Sequence, residues 1–353
     1  LEEVFVAGGT DREELLAAFG RRIESNHPRL PVREIPTGWC SWYCYGDSLT
    51  EDDLFENLAV MEKHHPDLRF IQLDAGYQKW MGDWLTPHPN FPNGIQSLCH
   101  RIKDAGFEPA LWVAPFIAEE QSEVLRDHPE WFIQNDQGKP LCSADVTFGG
   151  WRWAPWYMFD GTHPGAQDYI RHVFRTMREE WGCRYFKLDA NNWGAMPWGH
   201  RYDPKATSID AYRAGMQALL EGAGEDAFVL GSNAPMWPSI GALHGMRVSN
   251  DVSRRWETFQ GRAQESFQRS WQNGRLWLND PDCLVLDNIA PEIMEKVGAP
   301  LKHGEHLGKE EFSFHAAYIL ACGGLILVSE RMMDLTDDHR RIIRKLLPPG
   351  GKA

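Results

Sequence analysis

The chain has 353 residues, 42% of them hydrophobic, and a formal net charge of −14 at pH 7. That length and apolar content exclude a disordered chain and suit one large α/β domain with insertions. The acidic balance argues against nucleic acid as partner, which needs a positive field, and the absence of 18 consecutive apolar residues argues against a membrane-spanning helix.

The opening segment, LEEVFVAGGTDREE, lacks the basic start and apolar stretch of a secretory signal and reads as the interior of a longer chain. A helix is predicted at 11–25, so residues 1–30 are assigned to a linker and lead-in helix. Apolar runs closed by turn residues then predict strands at 35–39, 69–74, 107–114, 185–189, 228–232, 246–250, 275–279 and 324–329. Helical patterns fall between them at 50–64, 94–105, 165–181, 207–222, 256–272 and 309–321, with a last one at 336–346. Eight buried strands alternating with helices predict a (β/α)₈ TIM barrel over 31–347, followed by a tail at 348–353. The rival, a doubly wound sheet, would want a glycine-rich phosphate turn after an early strand, and none is present. Residues 114–164 are too long for a simple connection. They are expected to carry a short helix near 120–128 and an aromatic loop over the site.

In a barrel of this kind the site lies at the C-terminal ends of the strands. Those ends carry Trp39, Trp42, Asp74, Trp112, Lys187, Asp189, Ser232, Asn233, Arg247, Asp251, Asp280 and Asp282. Charge at the end of a buried strand is costly unless paired or used, so Lys187 and Asp189 are expected in a shared polar pocket. Asp280 and Asp282, in NDPD, fit turn or salt-bridge chemistry equally well. Of the 16 tryptophans most are expected in packing, with Trp42 and Trp84 given pocket roles. Seven cysteines at irregular spacing suggest free thiols and a cytoplasmic setting, and no zinc or phosphate-loop spacing occurs.

The ordered motifs GWCSWY (38–43), LDAGY and GDW (73–84), FPNGIQSLCHRIKDAGFEPALWVAPF (91–116), YFKLD (185–189), MRVSND (246–251) and LWLNDPDC (276–283) resemble the catalytic barrel of glycoside hydrolase family 36, the melibiase-type α-galactosidases of clan D. The likeness runs from about residue 30 to 345, without the β-sandwich and small β domain that usually flank such a barrel. It implies a retaining α-glycosidase that works without a cofactor on a small or oligosaccharide α-glycoside, as a monomer or an oligomer. Asp189 would be the nucleophile and Asp251 the general acid/base. Lys187 and Asp74 would bind sugar hydroxyls, Arg247 would contact or orient, and Ser232 and Asn233 would lie near the sugar 2-position. Trp193 follows the nucleophile where many members are apolar, and Ala75 stands where the family has a second aspartate. An N-acetylgalactosamine-like sugar, transfer to a second sugar and a catalytically silent sugar-binding barrel are the accompanying alternatives.

Overall fold

The computed structural model describes residues 4–297 and 306–347. The predicted tail at 348–353 lies outside the described residues. Ten strands are formed among the described residues: β1 (Thr37–Cys40), β2 (Phe70–Leu73), β3 (Glu108–Val113), β4 (Ile117–Glu119), β5 (Trp156–Met158), β6 (Tyr185–Leu188), β7 (Phe228–Gly231), β8 (Gly245–Arg247), β9 (Leu278–Asp280) and β10 (Ile326–Val328). Eight of them build one parallel sheet in the order β10-β1-β2-β3-β6-β7-β8-β9. The two ends of this sheet approach each other. The Leu325 N–H donates to Asn279 O at 3.0 Å and Leu284 N–H to Leu327 O at 2.7 Å. Gly324 permits the approach, since a Cβ there would stand 1.8 Å from Asn279 O. The barrel is thereby nearly closed, with helices outside, as the alternation predicts.

The two-residue period of a strand sorts its side chains into an inward and an outward set. Facing in, Phe70, Tyr185 and Phe228 meet edge to face at 5.4 and 5.3 Å and fill the barrel with Ala110, Leu230, Leu278, Leu325 and Leu327. Facing out, Ile71, Leu73, Leu111, Val113, Phe186, Leu188 and Val229 pack under the helices. Two steps above Tyr185 on the inward set comes Lys187, and two above that Asp189, which is why an apolar strand ends in charge.

Among the described residues eight long helices surround the sheet within a few residues of their predicted bounds: Arg12–Asn26, Glu51–His64, Gly94–Asp104, Pro164–Glu179, Ser208–Ala223, Trp256–Gln268, Lys309–Cys322 and Asp337–Leu346. Thr50 and Thr207 start two of them with full capping boxes. A short helix at Glu123–Asp127 sits where the long insertion was expected to carry one. The same insertion also contains the antiparallel pair β4–β5, which no sequence signal announced. No helix among the described residues is long and apolar enough to cross a membrane.

Candidate active site

At the top of β2 and β6, Lys187 Nζ donates to Asp74 Oδ2 at 2.8 Å. Gln72 Nε2 donates to the same oxygen at 2.8 Å, and the Ala75 N–H to Oδ1 at 2.9 Å. Burial opposes the charge on Lys187, but the facing Asp74 carboxylate leads the contributions that outweigh it, and the ammonium is held well above its ordinary value. The pair is therefore a formed ion pair in the barrel throat.

Asp189 sits one step higher and accepts three hydrogen bonds. They come from Asn233 Nδ2 at 2.7 Å, the Ala190 N–H at 2.7 Å and Trp112 Nε1 at 3.3 Å. Ala190 and Asn233 both hold the left-handed region, at φ 53° and 48°. The other two non-glycine residues at positive φ among the described residues are Trp153 and Asp282, on loops at the same end of the barrel. Backbone strain in this chain is gathered where the strands end, a placement usual for sites.

Beyond β8, Arg247 reaches three carboxylates. Its distances are 2.9 Å to Asp282 Oδ1, 3.2 Å to Asp280 Oδ2 and 3.0 Å to Asp251 Oδ1. Asp282 also accepts from Tyr43 Oη at 2.5 Å and from the Val252 N–H at 2.7 Å. Burial alone would lower the guanidinium, yet Asp282 and Asp280 lead the contributions that raise it well above its ordinary value. The side chain of Arg247 is 5% exposed whereas that of Asp251 is 72% exposed, so the arginine is anchored from below and presents Asp251 to the solvent. The turn-or-salt-bridge reading of Asp280 and Asp282 is the one the structure realises.

A cavity of about 710 Å³ opens over these strand ends, with Asp189, Ser232, Asn233, Arg247 and Asp251 on its wall. Five of the ten sequence-predicted site residues thus share one space. Asp74 and Lys187 lie below it as a buried pair, which corrects the expectation that Lys187 shares a pocket with Asp189. Trp84 is a second correction: it is 2% exposed and packs edge to face on Trp112, behind the wall. Trp193 is also buried, 5.0 Å from Trp156. Trp42 is half-buried against the core and stands off the cavity wall. In each case the indole gains more by packing than by facing water.

Trp151 comes to the wall from the aromatic loop expected over the site, whereas Arg262, Glu265, Arg269 and Gln272, from the helix after β8 and the turn beyond it, are wall residues without a signal in the sequence. Trp112 reads in the sequence only as a strand end, although its indole N–H addresses Asp189. The helical residues carried no signal, because a charged helix face ordinarily meets solvent. Among the described residues no group of three or more His, Cys, Asp or Glu side chains is placed to share a metal ion. What the arrangement offers is two carboxylates on the wall of one cavity, one oriented by three donors and one exposed.

The melibiase family model matches residues 73–221, from the end of β2 through the helix that follows β6. The chain is 24% identical over 237 residues to the myogenesis-regulating glycosidase of Mus musculus, covering 60% of this chain and 32% of that protein. It is 28% identical over 130 residues to an α-galactosidase of Escherichia coli, covering 35% of this chain and 17% of that protein. The matched part is thus less than a third of either relative. Among solved structures, the α-galactosidase TtGalA from Thermus thermophilus in complex with stachyose has a TM-score of 0.77 at 25% identity, covering 95% of this chain and 69% of that one. The chain thus holds a melibiase match over 73–221 inside a barrel that is similar, over nearly its whole length, to that of an α-galactosidase.

Proposed function

We propose that the protein is a retaining α-glycosidase of glycoside hydrolase family 36 that removes a terminal α-linked galactose-like sugar through a covalent glycosyl-aspartate. The observation that carries this reading is the shared cavity wall of Asp189 and Asp251. A retaining enzyme needs two carboxylates flanking the anomeric carbon, about 5–5.5 Å apart. Asp189, aimed by Asn233, Ala190 and Trp112, attacks that carbon while the leaving oxygen takes a proton from Asp251. Asp251 then removes a proton from the water that releases the sugar. The Asp74–Lys187 pair forms the floor, where Asp74 keeps room on Oδ1 for one further donor from a sugar hydroxyl. The seven free cysteines support the expected cytoplasmic setting.

A second reading of the sugar is favoured by Ala75. It is buried beside Asp74, where the resembled family has another carboxylate, and Ser232 and Asn233 face the cavity near the expected 2-position. A sugar altered at C2, C4 or C6, such as N-acetylgalactosamine, fits that departure.

One set of assays separates these possibilities. A panel of aryl α-glycosides identifies the sugar, and proton NMR of the first-formed product should show the α anomer. Asp189→Gly should abolish turnover, and added azide should then yield a glycosyl azide of inverted configuration. Asp251→Ala should impair poor leaving groups far more than nitrophenyl glycosides. A β anomer as first product, or equal losses on both leaving-group classes, would overturn the assignment.

A further inference from the structure

We propose that Trp151 is the platform of an acceptor-side subsite, which takes the second pyranose ring of an oligosaccharide α-glycoside. The inference rests on the glycosidase reading above and adds where the leaving sugar sits. Trp151 lines the same cavity as Asp189 and Asp251 and is 43% exposed, whereas only two other indoles, Trp198 and Trp237, are exposed and neither lines that cavity. An exposed indole on a mobile loop would mean little, but this one is fixed. Ser143 Oγ donates to Gly149 O at 2.5 Å and accepts from the Trp156 N–H at 2.7 Å, closing the base of the loop. Gly150, at φ 113°, lies so close to Trp156 that a Cβ would meet the ring at 2.8 Å. The next residue but one, Arg152, is tied to Asp47. The Trp151 ring then stands edge to face on fully buried Trp156, with centroids 4.5 Å apart at 82°.

The chemistry of the opposite wall narrows the ligand. The leaving oxygen must lie at the acid, so the leaving group lies on the Asp251 side of the cavity. There Arg262 Nε donates to Asp251 O at 2.8 Å, and Glu265 and Arg269 continue the wall. A pyranose has an apolar C–H face and a rim of hydroxyls. An indole on one side and hydrogen-bonding groups on the other match both, whereas a purely apolar aglycone would leave the polar wall unused. The volume of about 710 Å³ lies in the upper part of the ~300–1,000 Å³ range for pockets that enclose drug-sized ligands, and exceeds what one hexose ring needs.

The test compares raffinose with α-galactosyl fluoride, which has no leaving sugar. Trp151→Leu should lower the ratio of kcat/KM on raffinose to that on the fluoride by about tenfold, chiefly through KM, whereas Trp151→Phe should stay within about threefold. An unchanged ratio in the leucine variant would overturn the proposal. A measurement that needs no substitution in the loop uses Asp189→Asn saturated with raffinose and oxidised by N-bromosuccinimide, with the products mapped by mass spectrometry. Trp151 should be protected while exposed Trp198 and Trp237 are not, and oxidation of Trp151 at its unliganded rate would sink the subsite. If the wild-type protein hydrolyses no α-glycoside, the glycosidase reading itself fails. Hydrolysis of aryl glycosides with an unprotected Trp151 removes only the subsite.

Discussion

Arg247 carries the densest electrostatics of the molecule. One guanidinium serves Asp280, Asp282 and Asp251, and two of those carboxylates are as buried as the arginine itself. Its planar fork suits the task, since several N–H groups reach different acceptors without a change of rotamer. Removing one partner of a buried ion pair strands the other's charge, at about 3–5 kcal/mol. Arg247→Met should therefore lower unfolding free energy at pH 7 by at least that range, because it strands two carboxylates together. The deficit should shrink as pH falls, because the stranded carboxylates can then take up protons. Urea denaturation of both proteins at pH 7 and 5 checks this, and a deficit that is constant with pH would show that lost packing, not charge, is responsible. Sequence spacing places Arg247 at the site but leaves Asp280 and Asp282 undecided between the pocket and a turn or salt-bridge role. The structure makes them both: Asp282 at φ 78° accepts its own turn's Cys283 N–H at 2.7 Å while holding the arginine. The same limit explains Lys187, Trp84 and Trp193. A strand pattern says which face a side chain takes, but not how deep the pocket floor lies along it.

At the scale of elements, the eight barrel strands were legible because each is a short apolar run closed by turn residues, and the helices because their caps and periodicity agree. The β4–β5 pair was not legible. Its strands have three residues each and lie 36 residues apart, so no local turn joins them and no alternation is long enough to register. The helix Trp42–Tyr45 is hidden for a related reason, being a single turn of WYCY with no capping side chain. The β4–β5 pair nonetheless carries a testable charge. Glu119 on β4 is buried, and its carboxylate accepts from the Met81 N–H at 2.8 Å. Burial pushes its pKa up to about 7, above the ordinary 4.5. A carboxyl raised in the folded state stabilises below its unfolded pKa and loses that contribution as pH rises through the folded one. Glu119→Gln keeps the acceptor without the charge. It should raise stability by about 1–3 kcal/mol at pH 8 and by much less at pH 5, read as the change in thermal midpoint at the two values. Equal midpoints for variant and wild type at pH 8 would mean that Glu119 is hydrated enough to ionise freely.

Across the whole molecule, acid sensitivity should come from histidines built into the barrel wall rather than from the site. His244 is buried between β7 and β8, and its Nδ1 accepts the Val229 N–H at 3.1 Å, a bond only the neutral ring can make. His315, fully buried on the helix Lys309–Cys322, stacks on Phe259 with centroids 4.3 Å apart. Burial lowers the pKa to about 4 for His244 and about 3 for His315, against an ordinary 6.5. A base whose folded pKa is depressed contributes stability above its unfolded pKa and loses it as pH falls towards the folded value. The window therefore opens near pH 6.5 and runs down to about 4 and 3. At pH 5 each ring has lost about 1.5 pH units, or about 2 kcal/mol, so together they cost about 4 kcal/mol relative to pH 7. That is a large share of the about 5–15 kcal/mol by which a domain is stable. His244→Gln retains a side-chain acceptor for the Val229 N–H but cannot titrate. The variant should start less stable at pH 7, through imperfect packing, and then lose about 2 kcal/mol less than wild type on going to pH 5. Urea unfolding at half-unit steps between those values measures the difference, and two parallel curves would show that His244 does not govern the acid limb.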